Sequence, residues 1–253
     1  MIGGAGQAVV QTTLAIAGAE LELEMSMPGV PLRPRQLMPI FRRLTESVIQ
    51  LSVDAVKSSG EAVSCRAGCG ACCRQAVPLA ELEARDIADL VSELPEPRRT
   101  VVRARFAGAL ERLESTGLLS KLTDLGSLTP EVRQGLGVEY FRLGIPCPFL
   151  EQESCSIYPD RPLACREYLV TSPAINCATP SAETVRVVPL AGRVSTAVAS
   201  LAGPQVGHVP WVPLVLAPAW AEEHPDDETA RPGPEIVHEV LDRLAGKGLV
   251  RSF

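Results

Sequence analysis

The stretch Cys65-Arg66-Ala67-Gly68-Cys69-Gly70-Ala71-Cys72-Cys73 places four cysteines within nine residues of a 253-residue chain. Thiolates that share a metal must converge within a few ångströms, because a Zn–S bond is about 2.3 Å long and an iron–sulfur cluster is held by four cysteines. Gly68 and Gly70 allow the loop to fold back and to turn its backbone amides towards sulfur. The stretch therefore predicts a metal-binding loop.

The other four of the eight cysteines follow a cysteine-free interval of 73 residues. Cys147 lies between Pro146 and Pro148, which stiffen its backbone and disfavour a helix. Thiolates from the two groups are expected to meet around one inorganic centre or two neighbouring ones. The predicted ligands are Cys65, Cys69, Cys72, Cys73, Cys147, Cys155, Cys165 and Cys177.

Disulfide bonding and inert burial are the two alternatives to metal binding. Four disulfides would need an oxidising compartment, whereas the start of the chain lacks the positive segment of a secretory signal. The adjacent Cys72 and Cys73 also suit ligation better than compact bridging. Inert burial accounts for one or two positions, such as Cys177. The pattern favours reduced thiols in a bacterial protein of cytoplasmic location.

The spacing favours a 4Fe–4S iron–sulfur cluster, with zinc as the alternative. Zinc sites commonly pair C-x2-C motifs, and only Cys69-x2-Cys72 offers that spacing. Eight thiols suffice for two four-ligand sites or for one site with spare cysteines. Cys65-x3-Cys69-x2-Cys72 also equals the radical-SAM spacing, but it follows a predicted helix, has Ala71 where an aromatic is common, and precedes no β/α alternation.

Three arginines lie next to the cysteines or between them, namely Arg74, Arg161 and Arg166. A zinc or 4Fe–4S centre with four thiolates carries a net charge of about −2, which guanidinium groups can offset while donating hydrogen bonds. They are therefore predicted to contact the cofactor. Ordinary ion pairing, for instance of Arg166 with Glu167, is the alternative.

Hydrophobic periodicity predicts a mostly α protein, an α+β fold with a small N-terminal β-hairpin and irregular cysteine-rich loops. Alternation over residues 8–28, around Ala17-Gly18-Ala19, predicts the hairpin. Three- and four-residue spacing predicts a helix containing Phe41, Leu44 and Val48. Further predicted helices cover about 79–94, 98–115, 190–201, 212–223 and 234–246, and a short strand covers 184–188.

Three segments are predicted from these patterns. Residues 1–34 form the hairpin and a linker, 35–182 form the cysteine-cluster metal-binding domain, and 183–253 form a mostly helical extension packed on it. The 24 basic and 30 acidic residues give a net charge of −6 and an isoelectric point near 5.3. This balance argues against nucleic-acid and membrane partners and leaves an unidentified protein or small molecule.

Several motifs resemble one known family in the same order along the chain. They are Cys69-Gly70-Ala71-Cys72-Cys73-Arg74, then Cys147-Pro148-Phe149-Leu150, then Cys155-Ser156-Ile157-Tyr158-Pro159-Asp160-Arg161-Pro162-Leu163-Ala164-Cys165-Arg166. Over about residues 60–180 the chain resembles the YkgJ-type CxxCxxCC family of zinc- or iron-chelating proteins. The resemblance implies that all eight cysteines match the family's set, although the first spacing here is x3 rather than x2.

Two classes of function follow from the metal and the resemblance. The first class is a redox or protein-modifying enzyme that uses an iron–sulfur cluster. Flagellin lysine N-methylases are similar in the same cysteine region, which implies methyl transfer to protein lysines as one such activity. The alternative is a non-catalytic zinc-binding structural or interaction module. No phosphate-binding loop, nucleophile elbow or HExxH motif occurs in the sequence, so common hydrolase and nucleotide-hydrolysing chemistries have no support.

Overall fold

A computed structural model describes residues 6–125, 128–181, 183–202, 211–226 and 228–246. Helices dominate this part of the chain, and all of its strand pairs are antiparallel. The two strands of an N-terminal hairpin are long, and the other strands are short. The predicted fold class, mostly α with a small β-hairpin, is confirmed. In the described part, no helix has both the length and the apolar character needed to cross a membrane.

The hairpin consists of β1 (Gln7–Ile16) and β2 (Ala19–Pro28), which pair in register from Ile16–Ala19 to Gln7–Pro28. Ala17 and Gly18 form the two-residue turn with positive φ angles of 49° and 79°, the geometry that matches the strand twist. Strand alternation buries one face of the hairpin and exposes the other, as the sequence predicts.

Three long helices follow the hairpin, and all three were predicted from their periodicity. They are α1 (Met38–Ser58), α2 (Glu81–Glu93) and α3 (Arg98–Ser115). The first cysteine group lies in the loop between α1 and α2. This loop leaves α1 through Gly60, whose φ of 83° favours glycine.

None of the later helices is longer than α2, and the first three of them were not predicted. The later helices are α4 (Leu118–Thr123), α5 (Pro130–Arg142), α6 (Leu163–Glu167), α7 (Val194–Ala199), α8 (Ala217–Glu223) and α9 (Gly233–Leu244). The helix expected over 190–201 is limited to α7 and a 3-10 turn at Ser200–Ala202. The strand expected at 184–188 is a single bridge between Val187 and Val170.

Short strand pairs connect distant parts of the chain. The pairs are β3 (Pro31–Leu32) with β8 (Arg231–Pro232), β4 (Pro78–Ala80) with β7 (Trp211–Pro213), and β5 (Leu150–Glu151) with β6 (Ser154–Cys155). The segment expected to be a helix over 212–223 therefore begins in β7, continues as a 3-10 turn at Leu214–Leu216 and becomes α-helical in α8. The β4–β7 pair fixes the chain immediately before α2 against the C-terminal segment.

Two hydrophobic clusters form the core. The first joins the inner face of the hairpin to α1, α7 and α9 and includes Phe41, Leu163 and Ile236. The second joins α2 to α3, α4, α5, the cysteine-bearing loop after α5, and residues 212–217. Helix α2 contributes to both, with Leu82 in the first and Ile87 in the second. The predicted boundaries at 34 and 182 stay predictions.

Candidate metal centre

The loop before α2 presents the first cysteine group through tight turns. Gly68 has a φ of 80°, and Cys72 and Cys73 lie in a 3-10 turn at Ala71–Arg74. Gly70 allows a close approach of the second cysteine group, because an added Cβ would lie 2.6 Å from the Glu153 carboxylate and 3.1 Å from the Glu153 Cα. A glycine at position 70 thus lets the two cysteine-bearing segments touch.

Hydrogen bonds donated by backbone amides join the first cysteine group to the segments that carry the second. The Cys147 amide donates to the Cys73 carbonyl at 2.7 Å. The Val170 amide donates to Sγ of Cys65 at 3.4 Å. Cys177 lies in a 3-10 turn that packs against the turn carrying Cys72 and Cys73. Segments far apart in the sequence are therefore held side by side by main-chain contacts.

One cavity of about 320 Å³ brings all eight cysteines together. Phe149, Ile157 and Leu214 of the second core cluster form part of its wall. Among the described residues that line it, the charged side chains are all arginines, and none is aspartate or glutamate. The cysteines in its wall are Cys65, Cys69, Cys72, Cys73, Cys147, Cys155, Cys165 and Cys177.

Burial and crowding raise the pKa of most of these thiols. Desolvation is the main cause for Cys147, whose pKa rises to about 12, and for Cys165, whose pKa lies well above its ordinary value. The pKa of Cys72 is raised chiefly by its hydrogen bond with Cys73, then by desolvation. Without a cation in the cavity these groups stay neutral thiols at pH 7, so a metal would have to displace their protons.

The cysteines that raise the pKa of Cys177 differ from those that raise the pKa of Cys165, except that Cys72 acts on both. Six cysteines can therefore be assigned to two subsets, with Cys72 next to each. After desolvation, the groups that raise the pKa of Cys177 are Cys65, Cys72 and Cys69. For Cys165 they begin with Cys147, Cys72 and Cys155. We call Cys65, Cys69 and Cys177 the first sulfur subset, and Cys147, Cys155 and Cys165 the second.

The donor set fits a thiophilic metal. Soft thiolates select zinc, Cu(I) and iron–sulfur clusters over hard cations such as Mg²⁺, and the cavity wall supplies no oxygen ligand from a carboxylate. As the side chains stand, no three His, Cys, Asp or Glu residues of the described chain are grouped closely enough to hold a single metal ion. The fit therefore rests on the shared cavity and on the chemistry of sulfur.

The three arginines predicted to contact the cofactor occupy different positions. Arg161 lines the cavity, with its guanidinium carbon 4.1 Å from the centre of the Tyr158 ring. Arg74 lies outside the cavity lining and pairs with Glu153, 2.7 Å from Nη2 to Oε1. Arg166 is buried and bonds to Glu46 rather than to Glu167.

Arg166 supports the loop that carries Arg161. Its Nε donates to the Arg161 carbonyl at 3.0 Å, and its Nη2 donates to the Pro159 carbonyl. A fixed guanidinium can satisfy several carbonyls at once, because it carries five donors in a planar fork. Arg166 thus acts on the shape of the loop between Cys155 and Cys165. The contact of Arg74 and Arg166 with a cofactor stays a prediction.

Two further arginines and a buried glutamate also belong to the site, although the sequence did not single them out. Arg66 and Arg193 line the cavity. Glu83 is almost fully buried and accepts hydrogen bonds from the Ala80 amide at 3.1 Å and the Leu163 amide at 2.8 Å. It thereby fixes the start of α6, which carries Cys165. Arg66 lies between two cysteines of the first group, so its place at the site could have been predicted from the sequence. Arg193 lies in no motif, so no sequence signal indicated it.

The comparisons with known proteins agree with the cysteine pattern. Neither the curated proteins nor the solved structures yield a match to this chain. The family model described as "CxxCxxCC: Putative zinc- or iron-chelating domain" matches residues 64–184, the segment that contains all eight cysteines. Over residues 64–184, just under half of its length, this chain is similar to the CxxCxxCC family of zinc- or iron-chelating domains.

Proposed function

We propose that the cysteine cavity binds an iron–sulfur cluster, of the 4Fe–4S type, and that the protein is a cytoplasmic redox or protein-modifying enzyme. The observation that carries the proposal is the meeting of eight cysteines from two distant stretches in one cavity of about 320 Å³. The match of residues 64–184 to a model of zinc- or iron-chelating domains supports a metal as the occupant.

The surroundings of the sulfurs support a cluster. Such a cofactor supplies one-electron transfer when bound. The buried apolar side chains of Phe149 and Ile157 form part of the cavity wall and would shield one side of the cofactor from water. Arg161 is placed to offset the thiolate charge, since it is among the groups that lower the pKa of Cys65, Cys72 and Cys155.

Zinc is the second candidate, in a non-catalytic module that uses the metal only to hold its loops together. Cys69-x2-Cys72 supplies one C-x2-C motif of the kind that zinc sites commonly pair, and four-thiolate zinc sites contribute directly to folding. A protein or small-molecule partner, with no nucleic acid or membrane, is proposed for either case. The acidic net charge of −6 supports this choice of partner.

Metal analysis after anaerobic purification tests the proposal. An iron–sulfur protein is expected to be brown, with iron and acid-labile sulfide in equal amounts and absorption in the visible range. Stoichiometric zinc in a colourless protein would support the second candidate instead. Absence of both metals from correctly folded protein, after reconstitution with iron and sulfide or with zinc, would contradict metal binding altogether.

Cysteine variants test the ligands. Cys72→Ser and Cys165→Ser should each lower the metal content and the stability, because the formation of such sites is coupled to folding. Cys72 adjoins both sulfur subsets, so its replacement should remove at least as much metal as that of Cys165. Ser154→Ala, next to Cys155 on an exposed position, is the matched control and should keep the full metal content. Unchanged metal in both cysteine variants would remove those ligands.

A further inference from the structure

The formally charged side chains that line the cysteine cavity are opposite in sign to the net charge of the chain. The sequence carries more acidic than basic residues, 30 against 24. The described lining of the cavity nevertheless contains Arg66, Arg161 and Arg193 and no carboxylate. A concave surface with one sign of charge concentrates ligands of the opposite sign. An arginine in this position can offset the charge of the thiolates, or it can bind a separate anionic ligand.

Arg161 faces the sulfurs. It counteracts the rise in pKa of the Cys65, Cys72 and Cys155 thiols, and its guanidinium stacks over Tyr158. Neither Arg66 nor Arg193 is among the main groups that act on the six thiols whose pKa values are raised. Offsetting the thiolates therefore explains Arg161 but leaves the other two arginines without that role.

Arg66 and Arg193 have free hydrogen-bonding capacity. The side chain of Arg66 is exposed and makes no hydrogen bond or ion pair with the described residues. The side chain of Arg193 is 56% exposed, and its nearest carboxylate, Glu167, lies 4.0 Å away. Glu167 already accepts the amide of Ser195 at 2.9 Å and its hydroxyl at 2.5 Å. Arg193 thus keeps most of its donors for another acceptor.

We propose that Arg66 and Arg193 bind an oxyanion, a phosphate or carboxylate group, at the opening of the cysteine cavity. Guanidinium groups match such anions because their planar forks donate two parallel hydrogen bonds. Tyr158 lines the same cavity and is 50% exposed, so the part of its ring that Arg161 leaves uncovered can contact the remainder of a larger ligand. The inference rests on the proposed function in one respect, namely that the anion would lie beside a metal centre.

Calorimetric titration tests the site with inorganic phosphate and, separately, with acetate. Both titrations use the full chain at low ionic strength, with and without its metal, because salt screens exposed charges. Saturable binding of at least one probe is expected. Arg66→Gln and Arg193→Gln should each weaken it at least about tenfold, as expected for the loss of a charged hydrogen-bonding partner. The probe that binds more tightly identifies the preferred anion.

Arg43→Gln is the matched control, because Arg43 is an exposed arginine of α1 outside the cavity lining. It should leave the affinity unchanged. Circular dichroism and thermal unfolding should show that all three variants fold like the parent chain. Binding equally tight in all variants, or no saturable binding of either probe, would overturn the anion site. Metal content is measured on the same samples, so a failed metal proposal with intact anion binding is recognised as such.

Discussion

At the scale of single residues, Gly70 determines how closely the two cysteine-bearing segments approach. Gly70→Ala would place a methyl group 2.7 Å from Leu150 Cδ1 and 3.1 Å from Glu153 Cα. The φ at this position is −93°, so the added strain comes from packing and not from the backbone angle. We expect a loss of about 1–3 kcal/mol in the free energy of unfolding, measured in denaturant, together with a lower metal content.

Gly135 provides the opposite case. It lies inside α5, and an added Cβ would meet nothing within 4 Å. Gly135→Ala should therefore stabilise the protein by about 0.5–1 kcal/mol, since alanine has the higher helix propensity. If Gly70→Ala were at least as stable as the parent chain, the packing argument for Gly70 would be wrong.

Glu83 should make the stability of the metal-free protein depend on pH. Burial raises its pKa to about 7 from an ordinary 4.5, although two backbone amides act in the other direction. The folded state then holds a proton that the unfolded state has lost, so stability falls as pH rises from about 4.5 to 7 and changes little outside that range. The full effect of this shift is on the order of 3 kcal/mol.

Denaturant unfolding of metal-free protein at pH 5, 6 and 7 tests this dependence. Glu83→Gln should flatten the fall in stability over that range, whatever the variant does to stability at a single pH. Glu139→Gln, an exposed carboxylate on α5, should keep the slope of the parent chain. An unchanged slope in Glu83→Gln would show that the buried carboxyl does not titrate in this window.

At the scale of elements, the hairpin depends on its inner face. Leu14 of β1 is 4% exposed and belongs to the first core cluster. Leu14→Ala should cost about 2–5 kcal/mol, because it leaves a cavity between the hairpin and the helices. Gln11→Ala on the exposed face of the same strand should stay within about 0.5 kcal/mol of the parent. Similar losses in both variants, measured by denaturant unfolding, would mean that the hairpin does not bury this face.

Long periodic elements were predictable, whereas elements defined by distant pairing were not. The helices α1, α2 and α3 each show several turns of apolar spacing, and the hairpin alternates over ten residues on each side. Helix α5 buries little, chiefly Leu136 and Tyr140, so its pattern is too sparse to recognise. Strand β7 exists because it pairs with β4, more than a hundred residues earlier, and sequence periodicity carries no such information.

At the scale of the whole molecule, the two hydrophobic clusters meet at the cysteine cavity. Cys147 and Cys155 pack against the second cluster, while Leu163 of α6, two residues before Cys165, belongs to the first. The cysteine spacing predicted the thiols of this site, because closely spaced cysteines can be recognised in the sequence alone. The arginines at its opening and the buried Glu83 were not predicted as a group. They come together only in the folded chain, where Glu83 of α2 accepts the amide of Leu163 in α6 and Arg193, just before α7, lines the cavity.

A metal held at this junction should stabilise the protein in a pH-dependent way. A ligand that binds only the folded state adds about 4 kcal/mol at a free concentration a thousandfold above its dissociation constant. The pKa values of Cys65, Cys147 and Cys165 are raised, so protons compete more strongly for their sulfurs as the pH falls. The difference in melting temperature between metal-loaded and metal-free protein should therefore be larger at pH 8 than at pH 6. A difference that did not change with pH would mean that metal binding releases no thiol protons and that these cysteines are not the ligands.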